Sequence, residues 1–196
     1  MPSIAIVYYS GYGHTEVQAR HVQQGAQDAG GDVSLLDAAD LTDPEQGPWD
    51  KLEEADAIVF GSPTYMGSVT GTFEQFADAT SKVWFSQGWK DKLAAGFTNS
   101  GSFSGDKQGT LQRLATLAAQ HGMIWVSVGL MPGNPEHPGT DEDNLNRLGF
   151  YLGAAAQSDN DKGPDEVPRA SDLATARHLG RRIVEIANRY SRAAAA

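Results

Sequence analysis

Three segments of the chain have the composition to hold a small ligand. The first is Ser10-Gly-Tyr-Gly-His-Thr15, which leaves an apolar run rich in β-branched residues and enters a helical pattern. Gly11 and Gly13 allow backbone angles and close approaches that side chains forbid. Ser10, Thr15 and the N–H groups that open the helix can all donate to a phosphate. The loop has no Lys or Arg, and the first basic residue is Arg20. A Walker loop needs a lysine beside the phosphates, so that reading is excluded. The dinucleotide pattern Gly-x-Gly-x-x-Gly also fails, because Glu16 stands where its third glycine belongs. A monophosphate held by neutral donors fits the loop better than a dinucleotide. The same residues also make a tight turn capped by Thr15, and the loop alone does not choose between the two.

The second segment is Gly61-Ser-Pro-Thr-Tyr-Met-Gly67, running on to Gly71. Tyr65 and Met66 are large groups carried on a turn, where they can sandwich an aromatic ligand. The third is Thr98-Asn-Ser-Gly-Ser-Phe-Ser-Gly105, which offers hydroxyl, amide and backbone donors beside Phe103. Each taken singly is an ordinary polar loop. What distinguishes them is that each follows a strand-like run.

The elements that position these loops alternate along the chain. Ile4–Tyr9, Val33–Leu36, Ala57–Gly61, Ala94–Thr98 and Met123–Val128 are apolar runs expected to be strands. His14–Ala29, Thr72–Ala79, Gly109–Gln120 and Leu173–Tyr190 have helical periodicity, with Leu173, Ala176, Leu179, Ile183, Ile186 and Tyr190 expected inward on the last. Residues 39–50 read as a loop containing Pro44 and Pro48. Strands separated by helices predict an α/β domain, 1–196, with a parallel sheet covered on both faces. Ligands of such sheets bind beyond the carboxyl ends of the strands, where the three loops would converge. Residues 129–170 are rich in Gly, Pro, Asn and Asp, with one apolar island at Leu148–Ala156. So long an excursion is expected to be functional or interfacial.

Composition removes several classes. The chain has 196 residues, a formal net charge of −10 and no cysteine. Disulfides, zinc–thiolate sites, iron–sulfur clusters and a cysteine nucleophile are therefore excluded. The acidic balance argues against nucleic acid, whose phosphates require clustered Lys and Arg. No window approaches the roughly 18 apolar residues of a membrane span. The chain starts directly with a strand-like run, so no signal peptide is expected and a cytoplasmic location fits. Asp141-Glu-Asp143 lacks the rest of a calcium-binding pattern and reads as a solvated acidic loop, leaving no metal site. Arg177, Arg181, Arg182, Arg189 and Arg192 recur at helical spacing and read as the outer face of the last helix. Trp49, Trp89 and Trp125 read as packing groups, and His21, His137 and His178 receive no role.

The order of the motifs carries a resemblance. Tyr8-Tyr-Ser-Gly-Tyr-Gly-His-Thr15, Gly61-Ser-Pro-Thr-Tyr-Met-Gly67, Phe97-Thr-Asn-Ser-Gly101 and His121-Gly-Met123 are similar to the motifs of the WrbA family. The likeness covers residues 3–128 well and the last helix loosely. It implies a flavodoxin-like fold, with a five-stranded parallel sheet in the order 2-1-3-4-5, and FMN as cofactor. It also implies an NAD(P)H:quinone oxidoreductase that passes electrons from NAD(P)H through the flavin to a quinone-like acceptor. By the same resemblance Ser10, Gly11, Tyr12, Gly13, His14 and Thr15 hold the FMN phosphate. Thr64, Tyr65 and Met66 line the isoalloxazine, and Asn99, Ser100, Gly101, Ser102, Phe103 and Ser104 form the third flavin loop. Tyr12 also receives the nicotinamide nucleotide. Trp84 stands over the flavin from a neighbouring subunit, and His121 approaches a flavin across the same kind of interface, where it supplies a proton or stabilises charge. A homo-oligomer, a tetramer, follows from that sharing.

The chain departs from the family at four places, the first a shorter segment between strands two and three. Tyr65-Met66 replaces Arg-Phe, Phe103 replaces a glycine, and Asn146–Ala154 replaces a Gly-Gly-Thr-Pro-Tyr-Gly-Ala stretch. The residues also admit a different class of function: a flavodoxin-type electron carrier, or an FMN-binding regulatory module, without turnover of its own. A receiver domain shares the fold but needs acidic residues at the end of the first strand, where Tyr8-Tyr9 stand.

Overall fold

A computed structural model describes residues 1–133 and 142–194. His137 and Asp141 lie outside these residues. The first strand, β1 (Ser3–Tyr8), is followed by α1 (His14–Asp28) and β2 (Asp32–Asp37). Then come α2 (Trp49–Glu54), β3 (Ala57–Pro63), α3 (Gly71–Ala79), α4 (Ser81–Ser86) and β4 (Leu93–Ser100). The chain ends with α5 (Lys107–Gln120), β5 (Ile124–Trp125), β6 (Ala154–Gln157) and α6 (Ala170–Ala194).

The strands pair in parallel in the order β2-β1-β3-β4-β5, as expected. Alternation along each strand splits the core into two layers. Ile4, Ile6 and Tyr8 of β1 face α1 and α6, against Val22, Ala26, Leu179 and Ile183. Ala5 and Val7 face the other side, where Phe60 meets Phe73 and Phe76 of α3 and Leu114 of α5 completes the layer. Both layers are buried, which is why these strands read as continuous apolar runs.

The fifth strand differs from expectation. Of Met123–Val128 only Ile124 and Trp125 pair as a strand, opposite Leu93 and Ala94 at the base of β4. The upper half of the same edge is taken by β6, with Phe97 to Ser100 opposite Ala154 to Gln157. The island at Leu148–Ala156 is therefore not a loop-borne patch: its end enters the sheet, and Ala154, Ala155 and Ala156 are buried within the protomer. Residues 39–50 are also more ordered than expected. They contain a 3-10 turn at Ala38–Leu41 and the start of α2, where Trp49 stacks on Phe76 with ring centroids 6.0 Å apart. Tyr190, expected inward, is 45% exposed, and Val184 and Ala187 are buried instead. Trp89 is core, and the Trp125 indole N–H donates to the Leu152 carbonyl at 2.9 Å, as packing roles require.

The last helix, α6, lies directly on α1. A Cβ on Gly180 would stand 1.9 Å from the Val22 carbonyl oxygen, and one on Gly25 1.8 Å from that of Arg177. The two backbones touch because neither residue has a side chain. Gly180→Ala must push the helices apart. Overpacking of this kind costs about 1–3 kcal/mol. A loss of about 2 kcal/mol lowers the melting temperature of a chain this size by about 4–8 °C. Gly71→Ala, with nothing within 4 Å of the added carbon, is the control and should leave the melting temperature unchanged or slightly raised.

Candidate functional site

The carboxyl ends of β1, β3 and β4 open on a cavity of about 560 Å³. Ser10, Gly11, Tyr12, His14 and Thr15 form one wall, and Pro63 and Tyr65 a second. Asn99, Ser100 and Gly101 form a third. The loops that follow three strands therefore meet, as the parallel topology dictates.

Each wall has a local cause. Gly13 sits at the N-cap of α1 with φ +86, an angle glycine adopts without strain, and no side chain caps that helix end. The first-turn N–H groups are left for another acceptor. The Ser10 Oγ is buried and has no hydrogen-bond partner among the described residues. An orphaned hydroxyl beside free helix-terminal donors is the chemistry a phosphate satisfies, so the residues fit one phosphate group.

Gly11 lets Tyr65 close over the loop: a Cβ there would stand 2.7 Å from the Tyr65 hydroxyl oxygen. The Tyr65 ring meets that of Tyr12 edge-on, with centroids 6.3 Å apart. Burial first, then Tyr12 and Tyr9, push the Tyr65 phenol above its ordinary value, so it stays a neutral donor. Tyr12 is 76% exposed. Two aromatic faces thus flank the mouth, one of them free to take a planar ring.

The structure adds a fourth wall that the sequence reading missed: Ser158, Asn160, Lys162, Gly163 and Pro164. Ser158 donates its N–H to the Ser100 carbonyl at 3.1 Å and its hydroxyl to Asn99 Oδ1 at 3.1 Å. His14 Nε2 donates to the Lys162 carbonyl at 2.9 Å, tying the first loop to this segment. Lys162 brings the cation that the first loop lacks, held 3.4 Å from Asp159. One signal was present: 158–164 is polar and Gly/Pro-rich directly after an apolar run, the same pattern as the other three loops.

Other expected site residues sit elsewhere. Thr64 is a step behind the cavity, its hydroxyl bonded to those of Thr98 (2.9 Å) and Thr110 (2.8 Å). Met66 is fully exposed on its turn. Ser102, Phe103 and Ser104 lie beyond the cavity walls, and Phe103 stands out into solvent beneath the Arg147 guanidinium, 5.7 Å from its ring centroid.

His121 and Trp84 are brought together, but away from this cavity. They line a second one of about 410 Å³ with Thr80, Arg113 and Leu117. It lies at the amino ends of the strands, where Asp91 pairs with Gly122 just before β4. None of its lining residues lines the first cavity. His121 is buried, bonded through Nε2 to the Thr80 hydroxyl at 2.9 Å and packed on Trp89 at 4.5 Å. Burial pushes His121 down to about 4 and keeps it neutral. Trp84 is 45% exposed on α4, a helix that buries none of its residues.

The family described as NADPH-dependent FMN reductase matches residues 8–134. The flavodoxin FldP of Pseudomonas aeruginosa is 43% identical over 95% of this chain and 97% of its own. An NAD(P)H dehydrogenase (quinone) of Paracoccus denitrificans is 31% identical over 95% of this chain and 94% of its own. The crystal structure of a flavodoxin, WrbA-like protein from Agrobacterium tumefaciens superposes with a TM-score of 0.73 at 39% identity, over 96% of this chain and 99% of the other. The chain belongs to the NADPH-dependent FMN reductase family, among its WrbA-like flavodoxins.

The state of His121 sets a stability window. Its folded value lies below the ordinary 6.5, so neutral His121 contributes stability that is complete above pH 6.5 and is lost as pH falls toward 4. Between pH 7 and pH 5 the loss is about 2 kcal/mol. His21 and His178, also lowered first by burial, act in the same direction. Urea unfolding of wild type and His121→Gln at the two pH values checks this. The gap should shrink by about 2 kcal/mol in the variant, and an unchanged gap assigns it to other groups.

Proposed function

We propose that the protein is an FMN-dependent NAD(P)H:quinone oxidoreductase whose flavin occupies the cavity at the carboxyl ends of β1, β3 and β4. The observation that carries this reading is the buried, unpartnered Ser10 Oγ beside the open N-terminus of α1, in a chain of this family. When bound, FMN supplies the hydride acceptance and the onward electron delivery; the protein supplies placement.

Ser10, Thr15 and the first N–H groups of α1 take the phosphate, Gly13 keeping the approach open and His14 bracing the loop. Lys162 adds a cation from the fourth wall, which His14 ties to this loop. Tyr65 and Tyr12 flank the ring, and Asn99, Ser100 and Gly101 meet its polar edge. Met66, Ser102, Phe103 and Ser104 stand outside the cavity on the same loops, where a flavin reaching past its walls would meet them, and Thr64 supports the loops from behind. Tyr12, exposed at the mouth, is placed to meet a nicotinamide nucleotide. The acceptor is a small quinone-like molecule, since the open side of the cavity is rimmed by aromatic groups. Residues 1–196 act as one FMN-binding unit in the cytoplasm; lack of cysteine and use of NAD(P)H support that location, and among the described residues no helix is long and apolar enough to cross a membrane.

A second reading has its own support in the relatives called flavodoxins: an electron carrier that needs a protein partner. NADPH oxidation by the FMN-loaded protein with a soluble quinone and no other protein separates the two. Turnover supports the enzyme, and its absence with FMN bound supports the carrier.

The active species is a homo-oligomer, a tetramer, in which Trp84 and His121 of one protomer complete a neighbour's site. Trp84 and Phe85 exposed on α4 give a physical reason for an interface. Light scattering across a dilution series, with specific activity, tests it. Activity should fall as the assembly dissociates, and a fully active monomer refutes the shared site.

The phosphate assignment has a direct test in the apoprotein. FMN should bind at least about a hundredfold more tightly than riboflavin, since charge-assisted bonds contribute about 1.5–3 kcal/mol each. Gly13→Val forces a β-branched residue to φ +86 and sets carbon against Pro164, already 3.0 Å from a Cβ. It should weaken FMN and leave riboflavin little changed. Equal affinities of the wild type for both ligands would move the phosphate away from this loop.

A further inference from the structure

Lys107 opens α5 and is fully buried, an uncommon place for an ammonium group. Its Nζ donates to the Ser100 hydroxyl at 2.7 Å, to the Phe103 carbonyl at 3.2 Å and to the Ser102 carbonyl. These acceptors use all three of its protons. Ser100 lines the cavity, so the charge stands one hydrogen bond behind the wall. A peptide unit is planar with N–H opposite C=O. Turning the carbonyls of Ser102 and Phe103 inward therefore turns the N–H groups of Phe103 and Ser104 away from the ammonium.

Two charged groups face Lys107 from the elements packed on it: Arg147 from the segment before β6 and Asp172 from α6. They are committed to each other, with Arg147 Nη2 and Nε at 2.8 and 3.2 Å from the two Asp172 oxygens. Asp172 Oδ2 also accepts the Gln157 N–H at 2.9 Å. Among the described residues the positive charge of Lys107 has no ion pair of its own.

We propose that Lys107 is a positioning residue of the flavin site, fixing the third loop and setting a positive charge behind Ser100 that favours the reduced, more negative form of the bound flavin. This rests on the FMN reading above. A hydride adds one negative charge to the ring. A buried cation nearby lowers the energy of that state more than the energy of the oxidised one. Such a bias suits a flavin that takes two electrons from NAD(P)H. Burial, with Arg147 adding to it and Asp172 opposing, brings Lys107 down to about 8, so the charge is removable within a workable pH range.

The test is the midpoint potential of FMN bound to the full-length protein, relative to free FMN, from pH 7 to pH 9.5. That difference gives the ratio of affinities for reduced and oxidised FMN. At pH 7, Lys107→Gln should lower the ratio about tenfold, which is about 30 mV for a two-electron couple. In wild type the ratio should fall by a similar factor as pH rises through the upper part of the range. It should stay flat in Lys107→Gln, and flat at the wild-type pH 7 value in Lys107→Arg. A merely structural lysine would change the affinity for both forms together and leave the ratio unmoved. If Lys107→Gln does not fold, the wild-type series decides alone, and a ratio constant from pH 7 to pH 9.5 overturns the proposal. A wild-type ratio in Lys107→Gln overturns it as well. Wild-type protein that takes up no FMN refutes the flavin reading and this inference together, whereas uptake with an unmoved ratio refutes only the inference.

Discussion

The free edge of β4 has to be covered along its whole length, and the rest of the site follows from how that is done. One side of β4 is occupied from Leu93 to Asn99 by β3. The other would present a row of unpaired backbone groups. Two segments far apart in sequence share it, β5 at the base and β6 at the top. The chain must leave after Trp125 and return at Ala154, and its return needs a close passage: a Cβ on Gly153 would stand 2.1 Å from the Gly96 carbonyl oxygen. Because β6 runs parallel to β4, its carboxyl end arrives beside the loop that follows β4. Ser158, Asn160 and Lys162 reach the cavity for that reason alone. The excursion therefore builds the functional edge of the sheet and the wall beside it in one pass.

The same return brings an ionic network under the third loop. Arg147 and Asp172 are 7% and 1% exposed at their side chains, and both are held in place by several bonds. Gln157 links them to the loop, accepting from Arg147 and donating to the Gly101 carbonyl at 3.2 Å. Desolvating such a pair gains little stability on balance. What it supplies is a fixed position. Loops after strands are short of apolar contacts, and a site built on them needs its backbone held from behind. Here two charged pins, Lys107 and the Arg147–Asp172 pair, hold carbonyls or side chains of residues 100–103 where a hydrophobic contact has nothing to grip.

Much of this was legible in the residues. The four full strands, four of the helices and the convergence of the first three loops follow from apolar periodicity and from parallel topology. Ser10 to Thr15, Tyr65 and Asn99 to Gly101 stand where that reasoning puts them. What escaped reading has common physical causes. A two-residue strand and a four-residue strand carry too little periodicity to be told from loops, so β5 was read too long and β6 as a patch. The short α2 and α4 are fixed by tertiary contacts such as Trp49 on Phe76, not by propensity. Lys107 drew no expectation and lies ahead of the helix expected at Gly109–Gln120, because sequence pattern cannot show that a loop folds its carbonyls back onto an ammonium. The separation of His121 and Trp84 from the cavity is a matter of which end of the sheet they occupy, and resemblance alone does not display that distance.

A net charge of −10 opposes the uptake of an anionic cofactor, and distance resolves the conflict. At physiological ionic strength charges are screened beyond about 8 Å. The general acidity therefore acts weakly inside the cavity, while groups at its wall act at full strength. Those groups are chosen for one sign: helix-terminal N–H groups, the Ser10 hydroxyl and Lys162 at the surface, and Lys107 one bond behind. Among the described residues that line the cavity there is no carboxylate, although Asp159, Asp161 and Asp165 flank it in sequence. Asp159 is turned to Lys162. The outer surface can then stay acidic, which disfavours nucleic acid and other large polyanions, without loss of affinity for one small anion held by short-range contacts.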